Sequence, residues 1–287
     1  MERNTEVRVQ SANIHVIGAC NYRCEHCFDR CLHRGSMKPE EWTPVLEYLR
    51  GQKVTKINVA GGEPTLYPHL KELLVILKRM GFTTSIVSNG SKIDEEWFKE
   101  MEGLIDWVGL SIDSPSEEDE ILIGRHCGNV KHLENIKKVA GLAHAYGVRV
   151  KINITVVRRS WNKDFRQFLS EVSPDRIKAF RALTLKNAND DIPDVWSITD
   201  EQFEYFRNLH RDVPEMVFED NDDMVASYLM FDPLGRWMVD KDGEKRFLPF
   251  ETLVREGLET QVDVNRYFGR NAVYDWASSR EDPDSTA

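Results

Sequence analysis

The chain has no apolar run approaching the ~20 residues that cross a bilayer as a helix. Its opening stretch, MERNTEVRVQ, has neither the apolar core of a signal peptide nor the stripe of an amphipathic helix. These absences predict a soluble, cytoplasmic protein that does not sit on a membrane. Net positive charge is also missing: across 287 residues, 38 Lys and Arg stand against 48 Asp and Glu, a formal charge of −10. Such a balance is a poor basis for non-specific binding to duplex nucleic acid. Low-complexity tracts and short repeats are absent too. Cysteine is scarce, and its odd count of five argues against a disulfide framework. What remains is ordinary globular material, 41% hydrophobic, 30% charged and 10% aromatic. It is enough for one large α/β domain, or one domain with an appendage.

β-branched runs alternate with helical patterns. The runs 13–18, 55–60, 83–88, 106–113, 148–157 and 175–181 read as strands, and stretches near 38–50, 67–80, 93–102, 129–146 and 162–171 as helices. In the fourth helix Val130, Leu133, Ile136, Val139 and Ala143 share a face, and Gly147 follows as a stop. Six strands with intervening helices imply parallel βαβ units, closed as an open barrel or laid out as a doubly wound sheet. Beyond about residue 185 the rhythm changes. Residues 186–194 form a polar loop, Thr199 caps a helix to about His210, and the runs 226–231 and 236–239 flank Pro233-Leu234-Gly235 as a hairpin. Residues 278–287 are polar and expected to fray. The division expected is a main domain over 1–182 and an extension over 183–287 that packs on it.

Four of the five cysteines, Cys20, Cys24, Cys27 and Cys31, fall within twelve residues, directly after the first strand. In a parallel α/β fold that loop lies on the active-site side. Three thiolates at this spacing can hold three corners of a [4Fe–4S] cube and leave the fourth iron open to a ligand. A zinc site completed by Cys31 or His26 is the alternative. The second strand ends in Gly61-Gly62-Glu63-Pro64, where paired glycines allow close backbone approach and Glu63 can accept from an amine. The third ends in Ser88-Asn89-Gly90, with polar side chains where a ribose could sit.

With a CxxxCxxC loop after strand one and Gly-Gly-Glu-Pro after strand two, the chain resembles the radical S-adenosylmethionine (SAM) superfamily. That resemblance implies a partial (β/α)6 barrel. It also implies a cluster on Cys20, Cys24 and Cys27 with Phe28 beside it, and SAM held by Gly61, Gly62, Glu63, Ser88, Asn89 and Arg125.

The fifth strand alternates so that Lys151, Asn153 and Thr155 share one face; Arg176, Lys178 and Phe180 do the same on the sixth. Barrel helices cover the apolar faces, so these polar faces point into the lumen, where several cations suit a polyphosphate. The other reading is edge strands with solvated faces.

These features narrow the resemblance to the viperins and their prokaryotic relatives. It is carried by CNYRCEHCF, GGEPTL, SIVSNGSKI, LSIDS, IGR at 123–125, KIN at 151–153, RIKAF at 176–180, SYL at 227–229 and GRNAVYDW at 269–276. It implies conversion of a nucleoside triphosphate, typically CTP, to its 3′-deoxy-3′,4′-didehydro form, a terminator of viral RNA chains. SAM cleavage would give a 5′-deoxyadenosyl radical that takes the ribose 4′ hydrogen; the 3′ hydroxyl then leaves as water. Lys151, Asn153, Arg176, Lys178 and Arg270 would clamp the triphosphate, and Tyr228 would donate a hydrogen or proton near the ribose. Tyr228 also reads simply as a hairpin core aromatic. Asp113 either lines the site or caps the turn before Pro115. The electron donor implied is a flavodoxin or ferredoxin, and the chain is expected to be a monomer. The segment around Arg270 is expected to order as a lid over bound nucleotide; a permanently docked tail whose Trp276 fills a surface groove is the alternative. A SAM enzyme acting on a peptide, or a non-catalytic zinc protein, are the rival readings. No role attaches to Cys31, His126 or Cys127, and no segment encodes a choice of base.

Overall fold

The computed structural model describes residues 9–190 and 196–276; the expected tail 278–287 and the end of the 186–194 loop lie outside them. Seven parallel strands come first: β1 Ser11–His15, β2 Lys56–Ala60, β3 Thr83–Ser88, β4 Trp107–Ile112, β5 Arg149–Val156, β6 Arg176–Arg181 and β7 Met216–Glu219. Three short strands follow, β8 Met230–Phe231, β9 Trp237–Val239 and β10 Arg246–Leu248. The sheet order is β10-β9-β8-β1-β2-β3-β4-β5-β6-β7. With β10 and β7 at its edges the sheet is not closed, so the barrel is partial.

The helices among the described residues are α1 Thr43–Gly51, α2 Leu70–Arg79, α3 Glu95–Glu100, α4 Glu117–Ile123, α5 His132–Ala145, α6 Arg166–Val172, α7 Asp200–Leu209, α8 Asn221–Met224, α9 Phe250–Glu256 and α10 Val264–Gly269. They cover the apolar strand faces. Ile57, Val59, Val108, Leu110, Ile152 and Ile154 are fully buried against Leu46, Leu73, Leu77, Ile136 and Val139 in one continuous core. Each such side chain contributes about 1.5–3 kcal/mol through burial. No helix among the described residues is long and apolar enough to cross a membrane.

The six expected strands and the hairpin are present, and Thr199 caps α7 by accepting from Gln202 N at 3.3 Å. Three features differ from expectation. α5 begins two residues after Val130, which is 51% exposed and outside the core face assigned to it, because Lys131 is the extended residue that starts the helix. Strands β7 and β10, and helices α4, α8, α9 and α10, were not anticipated; each is three to seven residues long, too short for its periodicity to register. Finally, the sheet shows no break near 182: β7 pairs with β6 on one side while β8 pairs in parallel with β1 on the other. The extension thus supplies both flanks of the barrel sheet.

Candidate active site

The strand carboxyl ends carry the cysteine loop, Gly61-Gly62 and Ser88-Asn89. Together with the lumen they enclose a cavity of about 310 Å³. Cys20, Cys24 and Cys27 all line it; Cys31 does not, its thiol turning to the Phe28 carbonyl at 3.5 Å. A fourth thiolate for a zinc ion is therefore not in place. Cys127 is exposed and outside the cavity. Burial raises all three cavity thiols, Cys27 to about 12. A bound iron cation must supply the attraction that keeps them thiolate.

The loop is held by backbone. Gly62 N donates to Ile17 O (2.6 Å) and Glu63 N to Ala19 O (2.9 Å). A Cβ on Gly61 would overlap Ile17 O, and one on Gly62 would overlap Ala19 O. The glycines are thus required first for the contact between the two loops, and through it they reach the cavity wall. Gly62→Ala is expected to cost about 2–3 kcal/mol and to lower iron retention, read by thermal unfolding and iron content; an unchanged midpoint with full iron would show that the loop is held elsewhere. Across the loop, Arg23 N donates to Gly124 O (3.0 Å) and Glu25 N to Ile123 O (3.1 Å), so α4 braces it. Lys245, from the extension, donates to Phe28 O (3.0 Å) and Asp29 Oδ1 (2.7 Å) and lies over the Phe28 ring.

Glu63 is fully buried and does not line the cavity. Its carboxylate accepts from Thr65 N (3.0 Å), Thr65 Oγ1 (2.6 Å), Ser88 Oγ (2.7 Å) and Asn89 N (2.8 Å). Three of these donors are on Oε1 and one on Oε2, so the carboxylate fixes Ser88 and Asn89 in addition to any contact with an amine. Asn89 donates to Asn21 Oδ1 (2.9 Å), tying its loop to the cysteine loop.

Arg125 lines the cavity, with its guanidinium paired to buried Asp113 at 2.6 Å. Asp113 also faces His26 Nε2 at 3.3 Å and accepts from Thr155 N at 3.0 Å. Burial pushes this carboxyl up, but Arg125 and His26 outweigh it and hold it below the usual range. Asp113 therefore neither lines the cavity nor caps the turn before Pro115. Its role is to orient Arg125.

Deeper in the lumen, Lys151, Asn153 and Thr155 line the cavity as the alternation predicts, as do Lys178 and Phe180. The edge-strand alternative fails because β5 and β6 each pair on both sides. Arg176 is set apart: it donates to Asn271 O (2.6 Å), and its guanidinium lies 3.9 Å from the Tyr274 ring centre. Burial lowers Lys151 to about 8 and Lys178 to about 7, with Arg176 acting on the first and Arg270 on both.

Residues the sequence reading missed complete this region. Lys56, at the start of β2, is buried, donates to Tyr274 Oη (2.5 Å) and sits over the rings of Trp107, Tyr274 and Trp276. The period-two rule that marked Lys151 would also have marked Lys56 and Asn58 on KINVA. Glu219, ending β7, is fully buried. It accepts from Lys178 Nζ and from Tyr228 Oη, with Arg270 at 3.6 Å. Burial pushes it up, but Lys178 and Arg270 outweigh that and hold it low. Tyr228 lines the cavity with the Arg270 guanidinium stacked 3.7 Å from its ring centre, so it is more than a core aromatic. Four basic side chains, Lys56, Lys151, Lys178 and Arg270, thus line the lumen with Glu219 behind two of them and Asp240 on the wall, a surplus that suits a polyanion.

The C-terminal segment is docked. Trp107 donates to Trp276 O (3.2 Å), Arg149 to Asp275 O (2.8 Å) and Arg270 to Ser227 O (3.0 Å). Lys56, Trp107, Arg149 and Arg176 are the first residues of their strands. The segment therefore plugs the end of the barrel opposite the cysteine loop. This is the docked tail that was the alternative to a lid: buried aromatics and four hydrogen-bonded or stacked cations, Lys56, Arg149, Arg176 and Arg270, hold it in place.

The sequence profile described as the Radical SAM superfamily matches residues 14–172. An S-adenosylmethionine-dependent nucleotide dehydratase of a Thermoplasmatales archaeon (strain ISO4-H5) is 62% identical over 277 residues, 95% of this chain and 100% of the relative. A protein described as S-adenosylmethionine-dependent nucleotide dehydratase RSAD2, from Danio rerio, is 31% identical over 94% of this chain and 79% of its own length. Among solved structures, native anSMEcpe with bound AdoMet and a Cp18Cys peptide superposes with a TM-score of 0.65 at 19% identity, covering 91% of this chain and 82% of that one. At that identity the likeness speaks for the fold alone.

Proposed function

Because the chain belongs to the radical SAM superfamily and, within it, to the S-adenosylmethionine-dependent nucleotide dehydratases, we propose that its substrate is CTP and its product the 3′-deoxy-3′,4′-didehydro analogue, a chain terminator for viral RNA synthesis. The observation that carries this reading is the lumen cation cluster of Lys56, Lys151, Lys178 and Arg270, which sits in the same cavity as the three thiols. A [4Fe–4S] cluster and SAM are the cofactors of the family.

Cys20, Cys24 and Cys27 would hold the cluster, and Arg125, oriented by Asp113, would pair with the SAM carboxylate. Gly61, Gly62, Ser88 and Asn89 would form the wall against which SAM lies, with Glu63 fixing the last two from behind and Phe28 beside the cluster. The cluster and SAM, when bound, would supply single electrons and a hydrogen-abstracting radical. Lys151, Asn153, Lys178 and Arg270 would grip the triphosphate, with Arg176 supporting through Tyr274 and Asn271. Tyr228, whose Oη donates to Glu219, would serve as the hydrogen or proton donor near the ribose. The plugged barrel end keeps water from the lumen. The 183–287 extension would close the nucleotide site by supplying Glu219, Tyr228 and Arg270.

The direct test is anaerobic incubation with dithionite, SAM and CTP, UTP or GTP in turn. Mass spectrometry should find a nucleotide lighter by one water, formed fastest from CTP; formation only from another triphosphate would reassign the base. Lys151→Ala should weaken CTP binding roughly ten- to a hundredfold while leaving SAM binding within about twofold, since a charge-assisted bond contributes about 1.5–3 kcal/mol. Calorimetric titration with each ligand separates the two, and equal losses would remove Lys151 from the clamp.

A further inference from the structure

Strand β1 turns three polar side chains to the lumen, Ser11, Asn13 and His15. Two of them are engaged within the protein. Ser11 Oγ shares a hydrogen bond with Tyr267 Oη (3.0 Å), and Asn13 Oδ1 accepts from Asn58 Nδ2 (2.8 Å). His15, the last residue of the strand, is buried, and its Nδ1 faces Asp29 Oδ2 at 3.3 Å with no other partner among the described residues. Asp29 Oδ1 is taken by Lys245 Nζ at 2.7 Å. One ammonium thus already balances this carboxylate, and the imidazole need not carry charge. Burial outweighs Asp29 and holds the ring below its usual range. The contact assigns the ring hydrogen to Nδ1, on the Asp29 side, which leaves Nε2 a bare acceptor. Since His15 lines the cavity, Nε2 is the nitrogen a ligand meets, and a buried acceptor of this kind asks for an O–H or N–H donor.

The height of His15 in the barrel says which donor. Ser11 pairs with Lys56 in the cation layer, and His15 stands four residues further along the same strand, about 13 Å at the usual rise. Beyond it the chain runs into the cysteine loop. On one side β2 leads to Gly61 and Gly62; on the other, Asn13 N donates to Leu229 O (2.8 Å), next to Tyr228. A nucleotide with its phosphates among the cations and its C4′ toward the cysteine loop sets its sugar at this height. Of the two ribose hydroxyls, the 3′ departs as water and needs a proton donor, which a bare acceptor is not. The 2′ hydroxyl stays on the sugar and has a hydrogen to give.

We propose that His15 is a substrate-binding residue whose Nε2 accepts from the 2′ hydroxyl of the nucleotide ribose, with Asp29 and Lys245 fixing the ring tautomer. This rests on the nucleotide dehydratase reading above and extends it to the choice of sugar. A 2′-deoxy substrate leaves Nε2 unpaired inside the cavity, so the contact selects ribonucleotides over deoxyribonucleotides.

The test crosses substrate and protein on the reconstituted holoenzyme, using CTP and 2′-deoxy-CTP, or the matching pair of whichever triphosphate wild type turns over. Both substrates keep the 3′ hydroxyl, so the same elimination is open to both. Wild type should lose roughly tenfold or more in kcat/KM on the deoxy substrate. His15→Ala should lose a similar factor with CTP and then treat the two substrates alike within about twofold, with iron content and SAM affinity as in wild type. Where His15→Ala fails to fold, His15→Phe keeps a ring, lacks the acceptor and goes through the same comparison. Discrimination against the deoxy substrate that persists in full in the variant would overturn the contact, as would a wild type that turns over both substrates equally. Loss of iron in both variants would make His15 a strut of the cysteine loop and overturn it too. A wild type that cleaves SAM yet dehydrates no triphosphate would instead remove the nucleotide reading, and the contact with it.

Discussion

Replacing Cys20, Cys24 or Cys27 by Ala is expected to abolish iron binding and SAM cleavage together, whereas Cys31→Ala leaves both near wild type. The three residues line one cavity, and each would carry one iron corner, so losing one leaves an iron without its thiolate. Burial already holds the thiols neutral in the absence of a cation, which makes a two-thiol site a weak ligand set. Cys31 is turned to the Phe28 carbonyl and lies outside that cavity. The readouts are the iron–sulfur absorbance after anaerobic reconstitution and 5′-deoxyadenosine formed per hour. Should Cys31→Ala lose iron as completely as Cys24→Ala, the ligand set contains four cysteines and the open iron position disappears.

The core of this arrangement was legible because its signals are local. Cysteine spacing, paired glycines and alternation along β5 are all read within ten residues, and each marked side chains that the fold brings to one cavity. What escaped were the internal partners. Glu63 reads as a ligand-facing carboxylate, and Thr65, Ser88 and Asn89 also claim it, two of them from another strand end. Asp113 offered two readings, and its partner twelve residues on, Arg125, decided for neither. Glu219 lies on a four-residue strand whose pairing with β6 could be seen only once β6 was placed. The anchors of the docked C-terminal segment escaped for a related reason. Its anchors are strand-start residues 95 to 218 positions away in the chain, and long-range register leaves no periodic mark.

Triphosphate binding is expected to weaken as pH rises from 7 to 9, by roughly tenfold or more, and Lys178→Met should flatten that fall. In the unliganded protein, burial and the neighbouring Arg270 outweigh Glu219 and bring Lys178 to about 7, while burial and Arg176 bring Lys151 to about 8. A bound polyphosphate favours the ammonium forms and lifts both amines. Affinity is therefore greatest below the unliganded values and is lost as pH passes through them, at up to about tenfold per pH step for each amine. A terminal phosphate ionises near pH 6, below this window, so the ligand's own charge does not generate the slope. Folding carries the opposite sign. An unfolded lysine keeps its proton to about 10.4, so between about 7 and 10 the unfolded chain binds more protons and the cost of burying Lys178 shrinks as pH rises. Titration of these amines therefore does not unfold the protein as CTP affinity falls, and a thermal midpoint that holds or climbs from pH 7 to 9 would document this. Lys178→Met keeps the apolar stem and removes one titrating amine. It should bind CTP more weakly at pH 7 and with a shallower decline toward pH 9, while SAM affinity follows wild type at each pH. Parallel CTP profiles in the two proteins would mean that Lys178 stays paired with Glu219 throughout and that the phosphate grip lies with Lys151, Arg270 and Lys56.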